Sequence, residues 1–221
     1  MPKLIIKQNV LEYYGFFSEP LFSLFGESGA IVSGLYKTFL DYNISLGSFK
    51  LEGDPSEPAS SGVSVLIPRF GNYRLKFDNI QVGLRSFTDD DLAGMLTVIQ
   101  KGDVWLRELV PSVKYRSHAA VYTGHFGLDG TTSSEFLLNL PRRNTPVIGK
   151  DLGSGIVETW YDDVIDGKIR LTIDHSLQEI EGLYVSYIVT LERDTIDFIN
   201  VAQRANSLLE QVIRDLGLEF D

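Results

Sequence analysis

Acid–base or metal chemistry near neutral pH would fall first to the three histidines, His118, His125 and His175, because imidazole changes charge in that range. His118 and His125 lie seven residues apart on one β-like stretch. On a regular strand that odd spacing aims them at opposite faces and denies them a shared metal ion. His175 follows Asp174 at the end of a predicted strand. Neighbours on a strand also face opposite ways, and the sequence assigns no nucleophile to the pair, so it yields no catalytic triad.

The carboxylates Asp162, Asp163 and Asp166 cluster at a hairpin turn. They lack the one, three, five spacing and the distal glutamate of a calcium loop, so turn chemistry and surface charge account for them. Asp89, Asp90 and Asp91 sit where a helix begins and suit its positive end. The run Asp151-Leu152-Gly153-Ser154-Gly155 echoes a phosphate loop. It leads toward a strand, whereas a phosphate cradle opens a helix, and the GxxxxGK[ST] and GxSxG patterns are both missing. Arg142 and Arg143, a basic pair in an acidic chain, read as solvated loop residues. With no cysteine, thiolate catalysis, disulfides and cysteine-held zinc or iron–sulfur centres are excluded. The residues therefore specify no catalytic set, no metal site and no cofactor. His175 and the turn from Asp162 to Asp166 are the places an enzyme reading would use.

A formal net charge of −10 over 221 residues repels nucleic-acid phosphates and anionic membranes and favours basic partners. Met1 to Val10 has no signal-peptide pattern, and no apolar run reaches the ~18–20 residues that span a bilayer. The expectation is a soluble cytoplasmic protein without nucleic-acid or membrane partners.

The elements that must position these residues follow from periodicity. Lys3 to Phe17 reads as one long strand, with a break near Asn9 allowed. It contains Tyr13, Tyr14, Phe16 and Phe17, so both faces need cover or one must meet a partner. A helical turn is expected over Ser18 to Gly26 and a short helix over Gly29 to Tyr42, weakened by Gly34. Ile44 to Leu51 reads as a strand with a slip near Gly47, and Gly53 to Gly62 as the clearest loop. Strands follow at Val63 to Ile67, Tyr73 to Phe77 and Ile80 to Phe87. Thr88, with Asp91 three residues on, opens a long helix to Leu109, with a kink or break at Gly102.

The second part repeats this order. Val113 to Phe126 is β-like, Thr131 to Leu140 a short helix, and Pro141 to Gly155 a loop. Ile156 to Tyr161, Lys168 to Asp174 and Gly182 to Leu191 are strands. Asp194 to Gly217 is an amphipathic helix capped by Asp194 and stopped by Gly217, with Leu218 and Phe220 beyond it.

The expected fold class is α+β: an antiparallel β-sheet with two long helices packed on one face. The chain reads as a single domain, 1–221, with two structurally similar halves, 1–111 and 112–221, related as a pseudo-two-fold duplication. The layout is similar to helix-grip and TATA-binding-protein-like architectures, an analogy that carries no function. Two function classes fit. The first is a non-enzymatic protein-interaction or adaptor subunit that meets a protein partner or a second copy of itself. The second is a carrier of a small apolar ligand in a cavity between sheet and helices.

Overall fold

Strand-forming residues dominate the chain, and the computed structural model of it is α+β, with a large, mainly antiparallel sheet and four helices among the described residues. It describes residues 1–21, 28–54, 57–140, 153, 155–194 and 198–220. Of the expected loop Pro141 to Gly155, all but Gly153 and Gly155 lies outside the described residues, Arg142 and Arg143 included, as do residues 22–26 of the expected turn Ser18 to Gly26.

The elements in order are β1 (Lys3–Phe17), α1 (Ser28–Thr38), β2 (Phe49–Asp54), β3 (Glu57–Ile67), β4 (Gly71–Lys76), β5 (Asn79–Arg85), α2 (Asp89–Leu109), β6 (Tyr115–Asp129), α3 (Ser133–Leu138), β7 (Ile156–Asp162), β8 (Gly167–His175), β9 (Leu183–Leu191), α4 (Phe198–Asp215) and β10 (Glu219–Phe220). The chain forms two compact units. One comprises Met1–Val10, Val121–Val189 and Ile199–Asp221, and the other Leu11–Ala120 and Thr190–Phe198.

In the unit holding Leu11–Ala120, hydrogen bonding orders the strands β2, β3, β4, β5, β1, β6. The hairpins β2–β3, β3–β4 and β4–β5 are antiparallel. The Phe17 N–H donates to the Asp78 carbonyl, so the end of β1 meets the start of β5, which makes that pair antiparallel too. Every second residue of these strands turns inward: Val63, Val65 and Ile67, then Tyr73 and Leu75, are buried with Ile31, Leu35 and Phe39 of the α1 region and Met95, Ile99 and Leu106 of α2. Thr88 and Asp91 form the predicted capping box, with the Thr88 N–H 3.0 Å from Asp91 Oδ2. That bond, first among several, holds the Asp91 pKa below its ordinary value.

Three local expectations are corrected here. Leu46–Ser48 is a 3-10 turn and not the middle of a strand, closed by Ser45 and Ser48. Glu57 to Gly62 belongs to β3, because β2 supplies backbone partners, as in Glu52 with Gly62, and sheet pairing overrides a Pro/Ser/Gly-rich composition. Gly102 does not end α2, which runs through it for 21 residues. A Cβ there would lie 2.3 Å from the Tyr73 ring, so this glycine admits the buried tyrosine.

In the other unit the order is β10, β1, β6, β9, β8, β7. β8 alternates as predicted, with Ile169, Leu171 and Ile173 buried and Lys168 and Arg170 exposed. α4 ends as the sequence requires. Gly217 takes φ +79°, its N–H donates to the Arg214 carbonyl, and the Leu218 N–H reaches Ile213, the paired bonds of a glycine C-cap. Leu218 is fully buried and the Phe220 ring lies 5.8 Å from Phe126, so both residues pack inward.

Candidate functional site

Charged and polar groups gather inside each unit, and each gathering has its own local cause. In the unit of Leu11–Ala120, the alternation of β6 slips between Tyr115 and His118. Both are buried, and their rings are 4.8 Å apart. β1 brings Tyr13 against His118, with its hydroxyl 2.8 Å from Nδ1. His118 Nε2 faces the Asp194 carbonyl at 3.3 Å. A carbonyl can only accept, so neutral His118 carries its proton on Nε2, and Nδ1 accepts from the Tyr13 phenol.

α2 contributes Asp103 and Arg107, one turn apart. Asp103 accepts from the Tyr115 hydroxyl at 2.7 Å and from Arg107 Nε at 3.0 Å. Asp194, expected as a helix cap, accepts the Tyr115 N–H at 2.6 Å and faces Arg107 Nη1 at 3.8 Å. Residues 195–197, between Asp194 and the first described residue of α4, lie outside the described residues, and the expected cap falls on them.

Burial pushes the Tyr13 and Tyr115 pKa values up, and Asp103 adds to the effect. These phenols therefore stay protonated and act as hydrogen-bond donors. Burial likewise lowers the His118 pKa, against the favourable fields of Asp103 and Asp194 and with the help of Arg107. With His118 at 2% and Tyr13 and Tyr115 each at 3% exposure, the cluster fastens β1, β6, α2 and the segment 190–194 within this unit. Its histidine and two tyrosines are closed to solvent, and its charged members Asp103, Arg107 and Asp194 are part-exposed and tied to one another.

The lowered pKa has a consequence for stability. The folded state holds His118 neutral, while the unfolded chain binds a proton below its ordinary pKa of about 6.5. Stability is full above that value and is lost as pH falls toward the folded pKa. Urea midpoints measured from pH 7.5 down to 5.5 should fall for the wild type, and His118→Phe should flatten the slope by about one proton.

In the other unit, β8 and α3 bring His175 to Ser133, with Oγ and Nδ1 3.0 Å apart. Sequence spacing missed this pair because its members lie 42 residues apart. Ser133 is 2% exposed and its N–H donates to the Glu181 carbonyl, so the hydroxyl is sealed from substrate. The Asp174 carboxylate accepts the His175 backbone N–H. His125 Nδ1 meets Ser176 Oγ at 2.8 Å. The three predicted histidines thus engage three different partners: Tyr13, Ser176 and Ser133.

The Asp162 to Asp166 turn divides in the same way. Asp162 is 6% exposed and accepts Arg204 Nη2 of α4 at 2.7 Å and the N–H groups of Val164 and Ile165 at 3.0 and 3.1 Å. Burial opposes its ionisation, but Arg204 and the two N–H groups outweigh burial and hold its pKa low. Asp166, at φ +50°, accepts from the Tyr161 hydroxyl. Among the described residues no group of three or more His, Asp or Glu could hold a metal ion, and no helix is long and apolar enough to cross a membrane.

The surface carries two further features. A depression of about 360 Å³ is lined by Thr38 of α1 and by Gln100, Lys101, Val104, Trp105 and Glu108 of α2. The loop between β8 and β9 carries the two most exposed large apolar side chains among the described residues, Leu177 at 98% and Ile180 at 93%. This loop is held in shape. Ser176 Oγ accepts the N–H groups of Gln178 and Glu179 at 3.1 and 2.8 Å. The Ser176 N–H bonds the Gly182 carbonyl, and the Gly182 N–H bonds that of Glu179. Gly182 itself has no room for a side chain, since a Cβ would lie 2.4 Å from the Phe126 carbonyl oxygen. The only sequence signal was a pair of aliphatic residues three apart in an acidic turn.

No family model, curated protein or solved structure matches this chain.

Proposed function

We propose that the chain is a non-enzymatic protein-interaction subunit whose β8–β9 loop inserts into a partner. The observation that carries this reading is the near-complete exposure of Leu177 and Ile180 on an internally bonded loop. Burying a Leu or Ile side chain is worth roughly 1.5–3 kcal/mol, and a loop already fixed loses little entropy on docking. The flanking charges are carboxylates, Asp174, Glu179 and Glu181, in a chain of net charge −10. The fitting partner is a protein with an apolar pocket edged by lysine or arginine. The same charge supports a role without nucleic-acid or anionic-membrane partners, and a cytoplasmic location is part of this proposal.

Replacing both residues, Leu177→Ser with Ile180→Ser, should leave stability within about 0.5 kcal/mol, since neither side chain packs in the fold. It should cost at least about tenfold in partner affinity. The check is quantitative recovery of partner proteins on wild-type and doubly substituted bait from the cells that make the protein. A stoichiometric species kept by the wild type and lost by the variant supports the reading, and equal recovery refutes it.

The depression beside Trp105 favours a second reading, a small apolar-ligand carrier, though its walls come from two helices and not from sheet and helix. A ligand there would shift Trp105 fluorescence. A Trp105→Phe variant that still binds the ligand unchanged would refute the carrier reading.

We also read the orders β1-α1-β2-β3-β4-β5-α2 and β6-α3-β7-β8-β9-α4, which differ by one extra strand in the first, as an internal duplication of 1–111 and 112–221 within one domain, with α2 and α4 equivalent. An experimental structure in which those two halves fail to superpose would refute it.

A further inference from the structure

β7 is the last strand in its unit's order, and all seven of its residues pair antiparallel with β8, from Ile156 opposite Ile173 to Asp162 opposite Gly167. Among the described residues no strand pairs with its other side, which makes it a sheet edge. Natural edges are blunted by lysine, proline, bulges or irregular backbone. In the other unit, edge strand β2 follows that rule, with exposed Lys50, a register shift between Glu52 and Asp54, and Gly53 at φ +115°. The β7 sequence, Ile-Val-Glu-Thr-Trp-Tyr-Asp, has no proline, lysine or glycine. Val157 and Tyr161 are 57% and 58% exposed on the face that also carries Thr159.

We infer that β7 pairs with β7 of a second copy of this chain, antiparallel about a two-fold axis through Thr159. The inference stands apart from the β8–β9 loop and rests on other residues. A two-fold perpendicular to a sheet keeps its faces, so the axis must pass through a residue. Of the seven possible centres on β7, three pair five or more of its residues. Centring on Glu158 sets that carboxylate against its own copy. Centring on Trp160 sets Glu158 against Asp162. Like charges directly opposite are destabilising.

Centring on Thr159 pairs all seven residues and opposes no like charges. Val157 then meets Tyr161 and Thr159 meets Thr159 on one face, while Glu158 meets Trp160 and Ile156 meets Asp162 on the other. Aromatic–β-branched and Thr–Thr pairs are the stabilising kind. One strand pair is a small interface, so the dimer belongs to the weak class below about 1,200 Å². Each copy carries −10, so added salt should tighten the dimer by screening repulsion.

The experiment is sedimentation equilibrium of the full chain from about 1 to 200 µM, spanning the micromolar dissociation constants of weak complexes. Thr159→Lys and Thr159→Glu are examined alone and as an equal mixture, with thermal unfolding confirming that both fold as the wild type does. The wild type should dimerise, each variant alone should weaken the dimer at least about tenfold, and the mixture should restore it. A wild type that stays monomeric throughout, single variants that dimerise as well as wild type, or a mixture without recovery would each overturn the inference. If the Thr159 variants fail to fold, Val157→Lys and Tyr161→Glu take their place. They are opposite one another across the proposed axis, so the same recovery on mixing is required.

Discussion

Asp162→Ala should destabilise the fold by about 2–4 kcal/mol in urea unfolding. The carboxylate is a shared acceptor for Arg204 Nη2 and Nε at 2.7 and 3.1 Å and for the N–H groups of Val164 and Ile165. Hydrogen bonds to charged groups contribute roughly 1.5–3 kcal/mol each, and breaking a buried pair costs about 3–5 kcal/mol. The Arg204 side chain is 36% exposed and keeps much of its hydration when the partner is removed, which brings the sum down to the range given. Asp162→Asn keeps an acceptor for the turn and loses the charge, so it should recover roughly half of the loss.

The pH dependence has a definite sign. Arg204 and the turn N–H groups depress the folded pKa of Asp162 against the cost of burial, so its contribution is full above the unfolded carboxylate value of about 4 and disappears as pH falls through the folded value. The Ala variant should lose that acid-limb dependence. A change within about 0.5 kcal/mol would mean that the turn is held by other contacts.

Gly102→Ala should destabilise by about 1–3 kcal/mol, reversing the usual benefit of replacing a helix-interior glycine. Helix propensity alone predicts a gain near 1 kcal/mol. The new Cβ would sit 2.3 Å from Cε2 and 2.7 Å from Cζ of Tyr73, a fully buried ring with no room to retreat, so α2 or the ring must shift at an overpacking cost. Tyr73→Leu in the same background should relieve part of the penalty, a coupling read by a double-mutant cycle. Stabilisation by Gly102→Ala alone would show that the helix does not lie against Tyr73 as described.

Gly102 also shows where sequence reading stops. Periodicity identified α2 from Thr88 to Leu109, because a capping box and a repeating apolar face are local signals. Whether a glycine inside it breaks the helix or admits a neighbour depends on Tyr73, 29 residues away, and no local signal carries that. β8 was legible because its alternation persists over many residues, and β1 because it is rich in β-branched and aromatic residues. Residues 57–62 were not, because their Pro/Ser/Gly composition states a local preference while β2 supplies the pairing.

The site followed the same division. Spacing in the sequence assigns no triad or metal pattern, and it carries nothing about the partners of the histidines. Tyr13 lies 105 residues from His118, and Ser133 lies 42 from His175. The bond from the Tyr115 N–H to the Asp194 carboxylate joins residues 79 apart, and no local signal carries it. The exposure of Leu177 and Ile180 was equally hidden, since an aliphatic residue in a short turn is as often folded inward as presented.

The central claim, that this loop is where the chain meets a protein partner, is tested most directly by placing a photoreactive benzoylphenylalanine at position 177 in the cells that make the protein. A second copy of the experiment places it at exposed Lys168 on β8. The account predicts that position 177 crosslinks to one discrete polypeptide with an apolar pocket and basic rim, and that position 168 does not. Equal, diffuse crosslinking from both positions, or none from 177, would contradict it.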